Sequence, residues 1–170
     1  VLEYPSEVKP SVAVRTAEAV SAAEGQATVG VIGAGNFSKM TLMPGLAKSR
    51  ARVAYVADLN GAAAQHVASK SGVGQATTDY KQILSDPDVN AVMIAVRHDL
   101  HSRMIIESLQ AGKHAFVEKP LAMNVGEIRQ ILAEAATRPD RQIMVGFNRR
   151  FSPHLVKIEQ LLSERSGPLC

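Results

Sequence analysis

Cysteine is almost absent: the 170-residue chain has one, Cys170, at its last position. That excludes a disulfide framework and a cysteine-based metal cluster, and nothing in the sequence calls for an oxidising compartment. Tryptophan is missing and aromatic residues make up only 4% of the total, too few for the stacking platforms that bind single-stranded nucleic acid. No apolar run reaches the roughly 18 residues of a membrane-spanning helix, and the amino terminus lacks a basic region followed by an apolar one. The formal net charge is +3, with acids and bases interspersed. The one dense basic spot, Asn148-Arg149-Arg150-Phe151, is too small for a nucleic-acid footprint. The expectation is a cytoplasmic protein with neither nucleic acid nor membrane as partner.

What is present is enough apolar material, 46% of residues, for one ordinary domain with a packed core. From Thr28 onward short apolar runs alternate with helical periodicity. Strands are expected over 29–32, 53–57, 89–96, 115–117 and 143–145, each a continuous apolar run of the kind buried on both faces. Helices are expected over 37–48, 62–70, 79–84, 102–110, 125–136 and 153–164, with Gly72 and Gly112 stopping two of them and Pro153 in the first turn of the last. The opening residues are less regular: short strands over 1–5 and 12–15, then a loose helix or linker over 17–23. The six methionines, Met40, Met43, Met93, Met104, Met123 and Met144, read as core filler. Strands that alternate with helices imply a doubly wound, mainly parallel α/β sheet covered on both faces.

Three features carry chemistry. Gly33-Ala34-Gly35-Asn36-Phe37-Ser38 follows the first strand and opens the first helix. There Gly33 permits a tight turn, Gly35 lets backbone approach a pyrophosphate, and the helix amino terminus offers unpaired amides to the anion. Ser38 stands where a third small residue would bring helix and strand together. Asp58 ends the second strand, where a carboxylate accepts from the adenosine ribose hydroxyls and repels a 2′-phosphate. Taken alone, Asp58 could equally cap the next helix through Asn60-Gly61; together with the glycine turn the cofactor role is favoured. NAD is therefore the expected cofactor, with NADP left open by the nearby Lys48 and Arg52. Glu118-Lys119-Pro120 follows the strand over 115–117, at the sheet edge that faces the ligand crevice. By itself a lysine there is more often solvated surface than catalyst, although it can bond a substrate hydroxyl and move its proton.

These segments, with Ala111-Gly112-Lys113-His114 and Val145-Gly146-Phe147-Asn148-Arg149-Arg150-Phe151-Ser152-Pro153, resemble the Gfo/Idh/MocA family over about 28–166. The resemblance implies a Rossmann NAD(P)-binding domain of an oxidoreductase acting on sugars, inositols and related polyols. It also implies that Lys119 works at the reaction centre and that Glu118 contacts the nicotinamide side. Where the family has Thr-Pro-Asn and then a histidine, this chain has Val96-Arg97-His98-Asp99-Leu100-His101. Val96, His98 and His101 are thus candidate cofactor contacts, with capping and packing equally open for the two histidines. The remaining candidates on the cofactor are Gly33, Gly35, Asn36, Phe37 and Asp58. No metal site is expected: His66, His114 and His154 have no partners at ligand spacing.

The first residue is valine, and the chain stops at Gly-Pro-Leu-Cys with no closing element. The expected organisation is a prefix or linker over 1–26, a dinucleotide-binding domain over 27–150, and over 151–170 the first helix of a substrate domain cut short. Val1-Leu2-Glu3-Tyr4-Pro5 is similar to the closing strand of a medium-chain, alcohol-dehydrogenase-like reductase, which would place such a module upstream. The expected function is hydride transfer between NAD(P) and a sugar- or polyol-like secondary alcohol. The full-length protein is expected to be a homo-oligomer, and the isolated chain to bind cofactor without turnover. A non-catalytic NAD-sensing module and an assembly domain are the alternatives.

Overall fold

Residues 12–17, 25–163 and 167 are described by a computed structural model; the expectations for 1–5 and 18–23 fall outside them. Apolar runs become strands wherever the sequence anticipated: β2 (Thr28–Ile32), β3 (Arg52–Ala57), β5 (Ala91–Ile94), β6 (His114–Glu118) and β7 (Ile143–Gly146). Two shorter strands complete the sheet, β1 (Ala13–Arg15) and β4 (Gln75–Thr77). β4 had no signal of its own, because Gln-Ala-Thr carries no apolar run. It is held by pairing with β3 on one side and β1 on the other.

The sheet order is β1-β4-β3-β2-β5-β6-β7, parallel throughout except for β1, which runs antiparallel to β4. After β1 at the outer edge, the chain enters near the middle at β2, winds outward to β4, returns beside β2 as β5, and winds the other way to β7. Loops leaving β2 and β5 diverge at that reversal and open a crevice outside the carboxyl ends of the strands.

Both faces of the sheet are covered, and the alternation along each strand sorts the core in two. Val31, Val56 and Ala76 face Leu42, Met43 and the α2 (Gly61–Lys70) residues Ala64, Val67 and Ala68. Ile32, Val92, Ile94 and Val117 face the other way. They pack with Ile83 of α3 (Lys81–Ser85), Ile105 and Leu109 of α4 (His101–Gln110), and Ile131 of α5 (Val125–Thr137). Only Met43 and Met104 of the six methionines are buried; Met40, Met123 and Met144 are exposed and fill no core.

The first helix departs from its expected form. It runs as a π-helical turn over Ser38–Leu42 into α1 (Met43–Ala47). Pro44 explains the widening: it has no N–H to give and its ring crowds the carbonyl one turn back. Met43 N–H accordingly reaches Ser38 O, five residues behind. The last helix, α6 (Pro153–Ser163), buries none of its residues.

Candidate functional site

The glycine turn sits at the carboxyl end of β2, where the winding reverses. Gly33 has φ +106° and donates its N–H to Ala57 O at 2.7 Å. A Cβ at Gly33 would run into the backbone carbonyl of Ala95 at the end of β5, so a residue without a side chain is what lets the two diverging loops touch. Gly35 and Asn36 are exposed and Phe37 is half-buried. The first helical bond runs from Lys39 N–H to Gly35 O at 3.1 Å, which leaves the first-turn amides ahead of it for an anion. Ser38 is fully buried, and its hydroxyl donates to Gly33 O at 2.6 Å. The residue that departs from the glycine pattern thus clamps the helix to the turn.

Asp58 is tied to the same turn. Its Oδ2 accepts from Ala34 N–H at 2.7 Å and its Oδ1 from Asn60 N–H at 2.8 Å. Asp58 is not the cap of α2: Asn60 is, accepting from Ala63 N–H at 3.1 Å. Each carboxylate oxygen keeps a further lone pair for a hydroxyl donor.

The ends of β5, β6 and β7 lie beside this turn, with Ile32 opposite Ile94, Ile94 opposite Val117 and Glu118 opposite Gly146. Val96 is half-buried. His98 is exposed and opens a short 3-10 turn, and Arg97 is exposed and paired with Asp99 at 3.4 Å. His101 is different: it has no exposed surface, and both ring nitrogens face backbone carbonyls, Nδ1 that of Pro120 at 2.6 Å and Nε2 that of Val96 at 3.2 Å. The structure therefore encloses this histidine between the segments that follow β5 and β6. Sequence reasoning missed the arrangement because nothing local marks residue 101 as a neighbour of residue 120.

Lys119 is exposed at the end of β6. Next to it Glu118 is half-buried, and its Oε1 is enclosed with no hydrogen-bond partner among the described residues. A Cβ at Gly146 would come within 2.6 Å of that oxygen. Asn148, Arg149 and Arg150 follow β7 in an exposed 3-10 turn. Gly33, Gly35, Asp58, Val96, His98, Glu118 and Lys119 are thus brought to one edge of the sheet.

The opposite, amino-terminal edge carries a cleft of about 800 Å³ with Arg52, Tyr55, Gln75 and Asp86 in its lining. Its polar groups largely answer one another. Tyr55 donates to Asp86 Oδ2 at 2.7 Å and accepts from Gln75 at 3.3 Å. Burial, reinforced by Asp86, pushes the Tyr55 hydroxyl up to about 12. Lys113 is buried near this edge, its Nζ donating to Asp86 O at 2.6 Å, and burial pulls its pKa down. The motif residue Lys113 therefore braces backbone, and the chemistry-bearing groups converge at the other edge.

Known proteins share the sequence and the fold. A model of the Gfo/Idh/MocA oxidoreductase family, described as an NAD-binding Rossmann fold, matches residues 27–147. The oxidoreductase YrbE of Bacillus subtilis is 32% identical over 137 residues, covering 81% of this chain and 40% of its own length. Inositol 2-dehydrogenase of Rhizobium meliloti is 33% identical over 135 residues, covering 79% and 40%. Among solved structures, the 3-ketoreductase KijD10 of Actinomadura kijaniata, in complex with NADP and TDP-benzene, superposes with a TM-score of 0.76 at 26% identity. That match covers 82% of this chain and 43% of KijD10. The chain thus spans 40% of the length of each of the first two relatives.

Proposed function

The chain belongs to the Gfo/Idh/MocA oxidoreductase family and is its NAD(P)-binding Rossmann domain, and from that premise we propose that it prefers NAD and supplies half the active site of a polyol or sugar dehydrogenase. The observation that carries the reading is the convergence of the glycine turn, Asp58 and Lys119 at one edge of the sheet. Relatives named for inositol oxidation support the substrate class.

The residues present fit a dinucleotide. The first-turn amides after Gly33 and Gly35, with Asn36 and Phe37, would hold the pyrophosphate. Asp58 would accept from the adenosine ribose hydroxyls and disfavour a 2′-phosphate. The enclosed, unpartnered Oε1 of Glu118 is a site for an N–H or O–H donor at the nicotinamide end, since a buried acceptor without a partner is costly. Val96 and His98 would border that end.

When bound, the nicotinamide supplies the hydride acceptor or donor. Lys119 would bond the substrate hydroxyl and take its proton in oxidation, or return one in reduction. The family's further acid–base groups lie, on this reading, in a substrate domain that begins near residue 151 and is not complete in this chain, which binds cofactor without turnover. A cytoplasmic location and a homo-oligomeric full-length protein belong to the same proposal.

The test is calorimetric titration of the chain with NADH and NADPH. Saturable binding of NADH, tighter than that of NADPH, is expected; absence of heat with either overturns the reading. In the full-length protein Lys119→Ala should abolish turnover while NADH binding persists. NADH binding without turnover of any polyol by the unmodified full-length protein would point instead to an NAD-sensing module.

A further inference from the structure

The segment that carries Lys119 leaves the sheet at the end of β6. The β6–β7 ladder ends at Glu118 opposite Gly146. Further on, among the described residues, Met123 N–H donates to Glu127 at the start of α5. Past the ladder, the carbonyl of Pro120 meets Nδ1 of His101 at 2.6 Å.

His101 is well placed to anchor this segment. It is the first residue of α4, so its backbone is fixed by a helix whose Met104, Ile105 and Leu109 are in the core. Its ring is wholly enclosed. A buried imidazole is costly unless its polar atoms are engaged, and a ring that merely filled space would be replaced at no loss by an apolar one. Here both nitrogens face acceptors, Pro120 O and Val96 O at 3.2 Å. A carbonyl only accepts, so the contact at 2.6 Å calls for a proton on Nδ1, which donates to Pro120 O. Val96 and Pro120 leave neighbouring strands, β5 and β6, so the ring spans the two loops that flank the crevice.

We propose that His101 is a positioning residue. By holding the carbonyl next to Lys119, it sets the direction in which Lys119 leaves β6 and keeps its amine in the crevice. The proposal rests on the reading of Lys119 as the proton-transferring residue. It differs from the expectation that His101 touches the cofactor itself.

Two substitutions separate its two nitrogens. The amide nitrogen of asparagine reaches the place of Nδ1, and that of glutamine the place of Nε2. On the 170-residue chain, backbone amide NMR of His101→Asn should leave Lys119, Leu121 and Ala122 near their native shifts. His101→Gln should displace those three and leave Gly33 to Phe37 unmoved, with NADH affinity changed less than about threefold, well under the tenfold of one lost interaction. In the full-length protein assayed with NAD and myo-inositol, His101→Asn should retain kcat. His101→Gln should lose roughly a hundredfold, the scale of a misplaced catalytic group, at unchanged KM for NAD.

Equal behaviour of the two variants overturns the proposal, as does a displacement of Gly33 to Phe37 as large as that of residues 119–122. Should neither variant fold, the ring ¹⁵N spectrum of the unmodified chain decides: a protonated Nδ1 supports the clasp, and a ring protonated only at Nε2 overturns it. If the unmodified protein binds no NADH, the functional reading falls, while the NMR comparison still reports on the clasp.

Discussion

Asp58 holds two backbone amides, one from the glycine turn and one from the loop before α2. Its orientation is therefore set in advance, which removes an ordering cost from cofactor binding. Asp58→Ser should weaken NADH roughly tenfold, as loss of one charge-assisted hydrogen bond predicts. NADPH should bind as before or tighter, because repulsion of the 2′-phosphate goes with the carboxylate. Parallel titrations check this, and equal weakening of both cofactors would sink the assigned role. The position of Asp58 at the end of β3 was legible in the sequence, since it directly follows an apolar run. That of His101 was not: a histidine at a helix start looks like a cap, and its partner Pro120 is fixed only by the pairing of β5 with β6.

The helices show how far local signals reach. Asn124 caps α5 by accepting from Glu127 N–H at 3.0 Å, and Glu127 reaches back to Met123 N–H at 2.8 Å, a reciprocal cap readable from residue spacing. The join between α3 and α4 is not readable this way. Glu107 of α4 bonds the Tyr80 hydroxyl, Lys81 at 2.6 Å and Arg103 at 3.0 Å. Burial by itself would raise its pKa; the bonds from Lys81, Tyr80 and Arg103 prevail and lower it from 4.5 to about 2. A depressed carboxylate pKa contributes stability that is whole above the unfolded value, near 4.5, and fades as pH falls toward about 2. Glu107→Gln should thus lower Tm by roughly 2–4 °C at pH 7, the fall expected from about 1 kcal/mol in a domain of this size. The gap from wild type should close as thermal scans are taken from pH 5 down toward pH 2. A gap that stays constant with pH would show that the carboxylate charge contributes nothing.

At the scale of the molecule, the sheet and its two covered faces form one unit, and α6 stands apart from it with no buried residue. Ending the chain after Ser152 should therefore leave NADH affinity unchanged and shift Tm by no more than about 2 °C, as for surface changes generally. A marked loss of either in calorimetry would show that α6 packs on the domain. The doubly wound architecture was determined by sequence alone, because strands buried on both faces must be continuous apolar runs and their alternation with helices leaves few topologies. The glycine turn and Asp58 were marked in the same way, each by its place just after a strand, whereas Glu118 and Lys119 were singled out by the family resemblance. Tertiary structure decided what depends on chain segments far apart: the short strand β4, which exists only through its neighbours, the Glu118 oxygen enclosed beside Gly146 without a partner among the described residues, and the histidine closed over by Pro120 and Val96. Sequence patterns report which face of an element is buried, whereas partners brought together by strand pairing leave no local trace.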